Sequence, residues 1–460
     1  MSEQSKIRVN GRVHRLQGSD PSESLLRWLK RQRLHGTKEG CADGDCGACT
    51  VALVHHDASG RAHYQAVNSC LLPIGVLQGC EVLTVEALAH DGQLHPAQQA
   101  MVDCAGSQCG YCTPGFVMSM FAGCYDPTPD ALADNAIAGN LCRCTGYAPI
   151  RRAAAQLRPQ APLVDRFSAA LGDYRPEPAE QQLYNYHCPL SLASALALKQ
   201  AHPNYRWIAG ATDLGVDLSH GRQPAAGYIS LDRIGELQQL VISPERVLIG
   251  AGVSLTRLER ELAGLFPALD QMLPWFAARQ VRNRATLGGN LGSASPIGDL
   301  LPVLLALDAE LQLRGPGAER VLPISRFFLD YRKTALRPDE LITAVVLPRR
   351  PGLISASYKV AKRQTDDISI VAAAFALAFD QDGCIEHVRL AYGGVAATPL
   401  RALQIEPLLV GRQLDRDTIE VVSAALCSAF RPLTDHRASA AYRADLASDL
   451  FRKFCAERVR

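Results

Sequence analysis

The chain has 460 residues, 47% of them hydrophobic, with 48 basic and 46 acidic side chains and a formal charge of +2. That balance gives no electrostatic reason to expect nucleic acid or an anionic membrane as partner, and the basic residues form no run. The opening MSEQSKIRVN lacks the apolar core of a secretion signal, and no apolar stretch reaches the roughly 18 residues of a membrane span. A soluble, cytoplasmic protein of roughly three domains is expected, taking ~150 residues per domain.

KIRVNGRVHRL alternates about Asn10-Gly11, which predicts a hairpin, because both central positions of a type I′ turn need positive φ. SDPSESLLRWLKRQR predicts a helix, with Asp20 as N-cap, Pro21 in the first turn and Glu23 closing a capping box. Leu25, Leu26 and Leu29 form its apolar face. Next, EGCADGDCGACTV places Cys41, Cys46 and Cys49 in a C-x4-C-x2-C pattern, and Cys70 follows a strand-like run. In a reducing compartment clustered thiols are metal ligands or redox groups more often than disulfides. This spacing is the plant-type 2Fe–2S arrangement. Gly40, Gly44 and Gly47 are expected to give the loop left-handed φ and to turn backbone N–H groups toward sulfur. Structural zinc and unrelated buried thiols are the alternatives.

From about His90 the pattern becomes helical. TPGFVMSMFAG predicts a helix capped by Thr113 with Pro114 in its first turn, and APIRRAAAQL another opening on Pro149. Helical hairpins would bring Cys109 and Cys112 beside Cys142 and Cys144; on spacing alone zinc and an iron–sulfur cluster are evenly matched there. The other cysteines, 80, 104, 124, 188, 384, 427 and 455, have no ligand-like spacing and read as small buried residues. Pro159, Pro162, Pro176 and Pro178 mark a linker. Beyond it, RWIAGATDLGV, GYISL and RVLIGAGVSL are apolar runs ending in glycine turns, and the stretch after about 350 reads as strands followed by helices.

Two small-residue segments, 208–216 and 284–302, could present N–H groups to a pyrophosphate, with Thr212, Thr286, Ser293 and Ser295 adding hydroxyls and Asp299 a ribose or ring anchor. Ordinary tight turns are the alternative. Neither segment is G-x-G-x-x-G. His55-His56 reads as an exposed pair, Asp366 and Asp367 carry no catalytic role, and no H-E-x-x-H, G-x-S-x-G or Walker motif is present.

GTKEGCADGDCGACTV, GSQCGYCTPGF and GNLCRCTGYAPI closely resemble the iron–sulfur region of the xanthine dehydrogenase and molybdenum hydroxylase family, and the likeness extends over nearly the whole chain. It implies an α+β multidomain fold. Residues 1–89 would form a β-grasp ferredoxin domain holding one 2Fe–2S cluster on Cys41, Cys46, Cys49 and Cys70. Residues 90–160 would form a four-helix domain holding a second on Cys109, Cys112, Cys142 and Cys144. A linker over 161–187 would lead to a two-subdomain FAD-binding domain of the vanillyl-alcohol-oxidase type over 188–350. A CO-dehydrogenase-flavoprotein-like domain would fill 351–460.

Residue by residue, the resemblance puts FAD contacts on Ala209, Gly210, Ala211, Thr212, Asp213, Leu214, Gly215, Val216, Phe276, Thr286, Gly289, Asn290, Ser293, Asp299, Ile342 and Lys359. Phe276 would lie near the isoalloxazine and Gln108 beside a pterin. No molybdopterin-binding region lies within the 460 residues, so the resemblance implies the iron–sulfur/FAD small subunit of a bacterial xanthine dehydrogenase. Its partner would be a molybdopterin-binding large subunit in an (αβ)2 heterotetramer, its electron acceptor NAD, and it would hold no catalytic residue beyond the FAD/NAD half-reaction. The same role in an aldehyde-oxidase-type enzyme is the alternative, and a zinc-binding interaction protein a more distant one.

Overall fold

The computed structural model describes residues 5–56, 60–126, 128, 132, 134–175, 179–222, 225–363 and 366–459. The chain forms two compact units, residues 1–235 with 278–285, and residues 236–277 with 286–460.

The first unit opens on the expected hairpin. β1 (Lys6–Val9) pairs with β2 (Arg12–Arg15) across Asn10 and Gly11, both at positive φ. Helix α1 (Leu25–Arg31) starts later than its sequence suggests. Ser24 is its N-cap, accepting from Arg27 N–H, while Asp20 accepts from Ser22 N–H in a turn. The cause is tertiary: Leu25 N–H donates to Leu72 C=O at 2.7 Å and Ser24 bridges to Pro73, which holds Ser24 extended. β3 (Thr50–His56), β4 (Ala62–Asn68) and β5 (Glu81–Leu83) complete a mixed sheet of order β2-β1-β5-β3-β4.

Alternation along β3 and β4 divides the sheet's two faces. Val51, Leu53 and Val67 face one core with Trp28 and Leu29 of α1, while Ala52, Val54, Tyr64 and Ala66 face a second core. Onto that second face pack α2 (Pro96–Asp103), α3 (Thr113–Cys124), α4 (Asp134–Ile137) and α5 (Ala148–Leu157) through Phe116, Phe121 and Ile150. Each such fully buried large side chain contributes roughly 1.5–3 kcal/mol. His95 lies in this core, where burial brings its imidazole down to about 4.

The stretch read as a linker contains α6 (Arg166–Asp173), opened by an Asp165–Ser168 capping box and anchored by buried Phe167. Then come β6 (Gln181–Leu183), β7 (Tyr186–Cys188), α7 (Leu192–Ala201), β8 (Arg206–Ile208), α8 (Leu214–Ser219) and β9 (Tyr228–Ser230), with a small sheet of order β6-β7-β9-β8. Tyr186, Ile208 and Tyr228 join the core under α1, so this sheet and the hairpin domain share apolar packing.

The second unit begins with β10 (Leu240–Ile242), β11 (Arg246–Gly250), α9 (Leu255–Glu261) and α10 (Pro267–Met272). The short helix α11 (Arg279–Arg282) belongs to the first unit. The second resumes with α12 (Leu287–Ser293), α13 (Leu300–Ala306), β12 (Glu310–Arg314), β13 (Glu319–Pro323), β14 (Phe328–Asp330), β15 (Lys333–Thr334) and β16 (Leu341–Pro348). β10-β11-β16-β12-β13 is an antiparallel sheet. β17 (Ile354–Val360), β18 (Val371–Phe379), β19 (Ile385–Gly393) and β20 (Leu400–Arg401) make a second antiparallel sheet. Helices α14 (Arg416–Ser428) and α15 (Ala440–Arg458) contribute Val422, Leu426, Phe451 and Phe454 to the core it shares with Phe375 and Tyr392. Among the described residues no helix is long and apolar enough to cross a membrane.

Candidate metal centres and flavin site

The loop from α1 to β3 carries Cys41, Cys46 and Cys49, and Cys70 follows β4. Cys49 and Cys70 are buried, whereas Cys41 and Cys46 are partly exposed. Ala42, Gly44 and Gly47 all take positive φ. Gly40 does not; its role is space, because a Cβ there would stand 2.6 Å from Cys46 Sγ. The curl aims amides at sulfur: Cys46 N–H and Asp43 N–H lie 3.3 and 3.4 Å from Cys41 Sγ, and Cys41 N–H 3.3 Å from Cys46 Sγ.

Cys41 and Cys46 each direct a backbone N–H at the other's sulfur, and Cys49 and Cys70 are buried together with Leu26 and Leu71. The Cys46 thiol, helped by the loop amides, brings Cys41 down to about 5, and Cys46 rises correspondingly. Cys70 likewise lowers Cys49 and is itself raised. Among the described residues no three His, Cys, Asp or Glu side chains form a group suited to one metal ion. Two pairs of thiols backed by N–H donors fit a 2Fe–2S cluster, which takes two cysteines at each iron.

The second group is assembled by helix ends. Cys112, not Thr113, is the N-cap residue of α3, and Cys142 and Cys144 precede α5. Cys144 Sγ lies 3.7 Å from Cys109 Sγ and 3.8 Å from Cys142 Sγ, and Cys112 is near enough to Cys142 to be shifted by it. All four candidates therefore converge. Burial, then the Cys142 contact, pushes Cys112 up to about 12; burial also raises Cys142, but Thr145 and its neighbours outweigh that and bring it down to about 7. Tyr147, at φ 68, accepts from Cys142 N–H at 3.0 Å. Cys109, Cys144 and Gln108 are exposed, so this group opens further to solvent than the first, whose cysteines are half-buried or buried. Of the other cysteines 124, 188 and 455 are buried as expected, whereas Cys427 is exposed. His55 and His56 are half-buried rather than exposed, His56 stacking on Tyr174.

In the first unit, Ala209–Val216 turns from β8 into α8 with Gly210 and Ala211 both at φ 64. Gly210 N–H donates to Asp232 at 2.7 Å, and Asp232 is ion-paired with Arg284. At Gly215 the absent side chain serves packing: a Cβ would strike the Leu71 carbonyl, next to Cys70. Val216 packs with Leu26, Cys49, Cys70 and Leu71, while His220 Nε2 lies 2.5 Å from Asp43 Oδ1 in the cysteine loop. The turn expected to hold pyrophosphate is thus fastened to the first quartet.

In the second unit, Thr286 caps α12 by accepting from Gly289 N–H at 3.0 Å, and Ser293 donates to Asn290 C=O. These hydroxyls have structural duties. Asn290 Oδ1, by contrast, is buried with no partner among the described residues, and a Cβ at Gly292 would meet nothing within 4 Å. An approachable surface with an unspent buried acceptor fits a flavin nucleotide. Asp299 and Lys359 form a buried ion pair at 2.7 Å; Ser369 donates to Asp299 at 2.5 Å, and Lys359 also donates to Trp275 C=O beside half-buried Phe276. Burial pushes the Asp299 carboxyl above the usual range even against the pull of Lys359. Ile342 is buried on β16. Ser369, Trp275 and Asp232 were not singled out from sequence, since each matters through a partner distant in the chain.

Four family models match in succession: a 2Fe-2S iron–sulfur cluster binding domain (7–74), a [2Fe-2S] binding domain (84–155), the FAD binding domain in molybdopterin dehydrogenase (181–350) and the CO dehydrogenase flavoprotein C-terminal domain (356–458). Its domains match the molybdenum hydroxylase family. Xanthine dehydrogenase of Emericella nidulans is 32% identical over 97% of this chain and 38% of its own length, and xanthine dehydrogenase/oxidase of Mus musculus 31% identical over 91% and 36%. The chain therefore spans little more than a third of these relatives. Among solved structures, carbon monoxide dehydrogenase from Hydrogenophaga pseudoflava matches 58% of this chain and 93% of its own at TM-score 0.55 and 26% identity. Quinoline 2-oxidoreductase from Pseudomonas putida 86 matches 59% and 94% at TM-score 0.55 and 25% identity. The matched models are those of two 2Fe–2S binding domains and an FAD binding domain.

Proposed function

We propose that this chain is the iron–sulfur/FAD subunit of a bacterial xanthine dehydrogenase, in which electrons from a purine oxidised on a molybdopterin-binding large subunit pass to NAD⁺. In this reading Cys109, Cys112, Cys142 and Cys144 hold one 2Fe–2S cluster, Cys41, Cys46, Cys49 and Cys70 the other, and the residues of 209–216 with Phe276, Thr286, Gly289, Asn290, Ser293, Asp299, Ile342 and Lys359 hold FAD. The domain limits 1–89, 90–160, 188–350 and 351–460, the cytoplasmic setting and an (αβ)2 assembly belong to the same reading. When bound, the clusters exchange single electrons and FAD exchanges one or two, which is what coupling to a hydride acceptor requires.

The observation that carries the order is the pair of close approaches in the first unit. The second quartet, the more exposed of the two and with Gln108 beside it, suits the face toward a partner. The first quartet lies between it and the turn 209–216, touching the former through Leu141 N–H to Cys46 C=O at 2.9 Å and the latter through Leu71 and Gly215. The chain's own work is to fix these three groups in sequence.

The purified chain is expected to contain iron and flavin, to show two paramagnetic iron signals after dithionite, and to reduce dyes with NADH. Zinc without iron, and no flavin, would support the interaction-protein reading instead. In the holoenzyme Cys112→Ser should abolish purine-to-NAD⁺ turnover and one iron signal while NADH:dye activity persists; loss of both activities would argue against the order.

A further inference from the structure

Between the two quartets lies a buried polar node that the cofactor assignments leave unused. Asn140 and Gln280 are each 1% exposed. Asn140 Nδ2 donates to Gly47 C=O at 2.9 Å and to Thr50 Oγ1 at 3.2 Å, thereby gripping the loop that carries Cys46 and Cys49. Its Oδ1 accepts from Gln280 Nε2 at 2.9 Å and from Ser119 at 2.6 Å, and Gln280 Nε2 also reaches Ser119 Oγ at 3.1 Å. Three glycines let the backbones meet around it. A Cβ at Gly47 would collide with the Gly139 carbonyl, one at Gly115 with the Gly47 carbonyl, and one at Gly139 with Gln280 Oε1. Burying this many polar groups is costly unless their geometry is held, so the node specifies one arrangement of the two loops.

What it holds is short. The residue after Asn140, Leu141, donates its N–H to Cys46 C=O at 2.9 Å, and the next residue is Cys142. A candidate ligand of one cluster is thus joined to a candidate ligand of the other through backbone and a single hydrogen bond. Resting on the assignment of both quartets to 2Fe–2S clusters, we propose that Asn140, backed by Gln280, is a positioning residue that sets the separation of the two clusters. The step it serves moves one electron, oxidising the donor cluster and reducing the acceptor by one, with no change of bonds or protons. Such transfer decays exponentially with distance, and the magnetic interaction between two reduced clusters falls with its inverse cube.

Asn140→Asp keeps the acceptor and the shape but places an oxygen against the Gly47 carbonyl. Gln280→Met removes the outer donor and leaves the Asn140 grip in place, and so is the milder change. In holoenzyme reduced fully with dithionite, Asn140→Asp should narrow or abolish the splitting between the two iron signals while both signals and the iron content remain. Gln280→Met should do so to a lesser degree. Tyr64→Phe, which removes a buried hydrogen bond to Phe167 C=O in the same unit, should leave the splitting unchanged. Unchanged splitting in both node variants would overturn the inference alone, as would loss of a whole signal in both, since the side chains would then serve loading rather than spacing. A wild-type holoenzyme without the two signals would overturn the cluster assignment and the inference with it.

Discussion

Lys359→Met is expected to destabilise the second unit by about 3–5 kcal/mol, the usual result of stripping the partner from a buried ion pair. At the size of this unit that corresponds to a loss of about 6–20 °C in its melting temperature. Lys359 and Asp299 are both buried, with side chains 7% and 9% exposed, so solvent does little to soften the loss. Ser369 alone would remain to compensate the carboxylate. The effect should depend on pH in a defined sense. Burial already raises the Asp299 carboxyl, and removing the ammonium raises it further. The folded variant then holds a proton that the folded parent and the unfolded chain release, so its deficit relative to the parent grows as pH rises from the parent's raised folded value to the variant's higher one, and shrinks in acid. Thermal melts of both proteins across that range test this, and a deficit that does not vary with pH would refute it. Asp299→Asn in the same background should restore much of the stability, because the uncompensated charge is gone. FAD content should fall in the single variant if Lys359 and Asp299 frame the flavin as proposed.

Local chemistry made part of this architecture legible. The hairpin followed from Asn10-Gly11, because few residues accept two consecutive positive φ values. The gathering of eight cysteines into two groups followed from their spacing, whereas their reading as cluster ligands rests on the resemblance. Where distant chain decides geometry, sequence says less. Asp20 has every mark of an N-cap, yet Leu72 claims Leu25 N–H and the helix opens at Ser24. Proline density suggested a linker, but Phe167 finds a pocket against Tyr64 and Phe121, and α6 forms on it. Gly40 looked like freedom of backbone and Gly215 like a bare approach for pyrophosphate; both are clearances, for Cys46 Sγ and for the Leu71 carbonyl. Asn140 and Gln280 are 140 residues apart, and no period or motif links them.

Gly47→Ala is expected to be strongly disruptive to the first unit, at about 2–5 kcal/mol. Two costs combine. Gly47 sits at φ 65, where a Cβ costs roughly 1–2 kcal/mol. Its Cβ would also be driven into the Gly139 carbonyl and the Asn140 backbone, and overpacking against atoms that cannot turn aside adds about 1–3 kcal/mol. Gly221 supplies the control, since it has nearly the same φ, 66, and a Cβ there would meet nothing within 4 Å. Gly221→Ala should therefore show the backbone cost alone. Gly44→Ala should fall between, because its obstacle is the flexible end of Leu71. Denaturant unfolding of the three variants, with iron counted in each, decides the point. Equal losses at Gly47 and Gly221 would mean that the two cysteine loops are not in backbone contact. A larger loss at Gly47, accompanied by lost iron, is the result that close contact requires, because the collision forces apart the segments that carry Cys46 and Cys142.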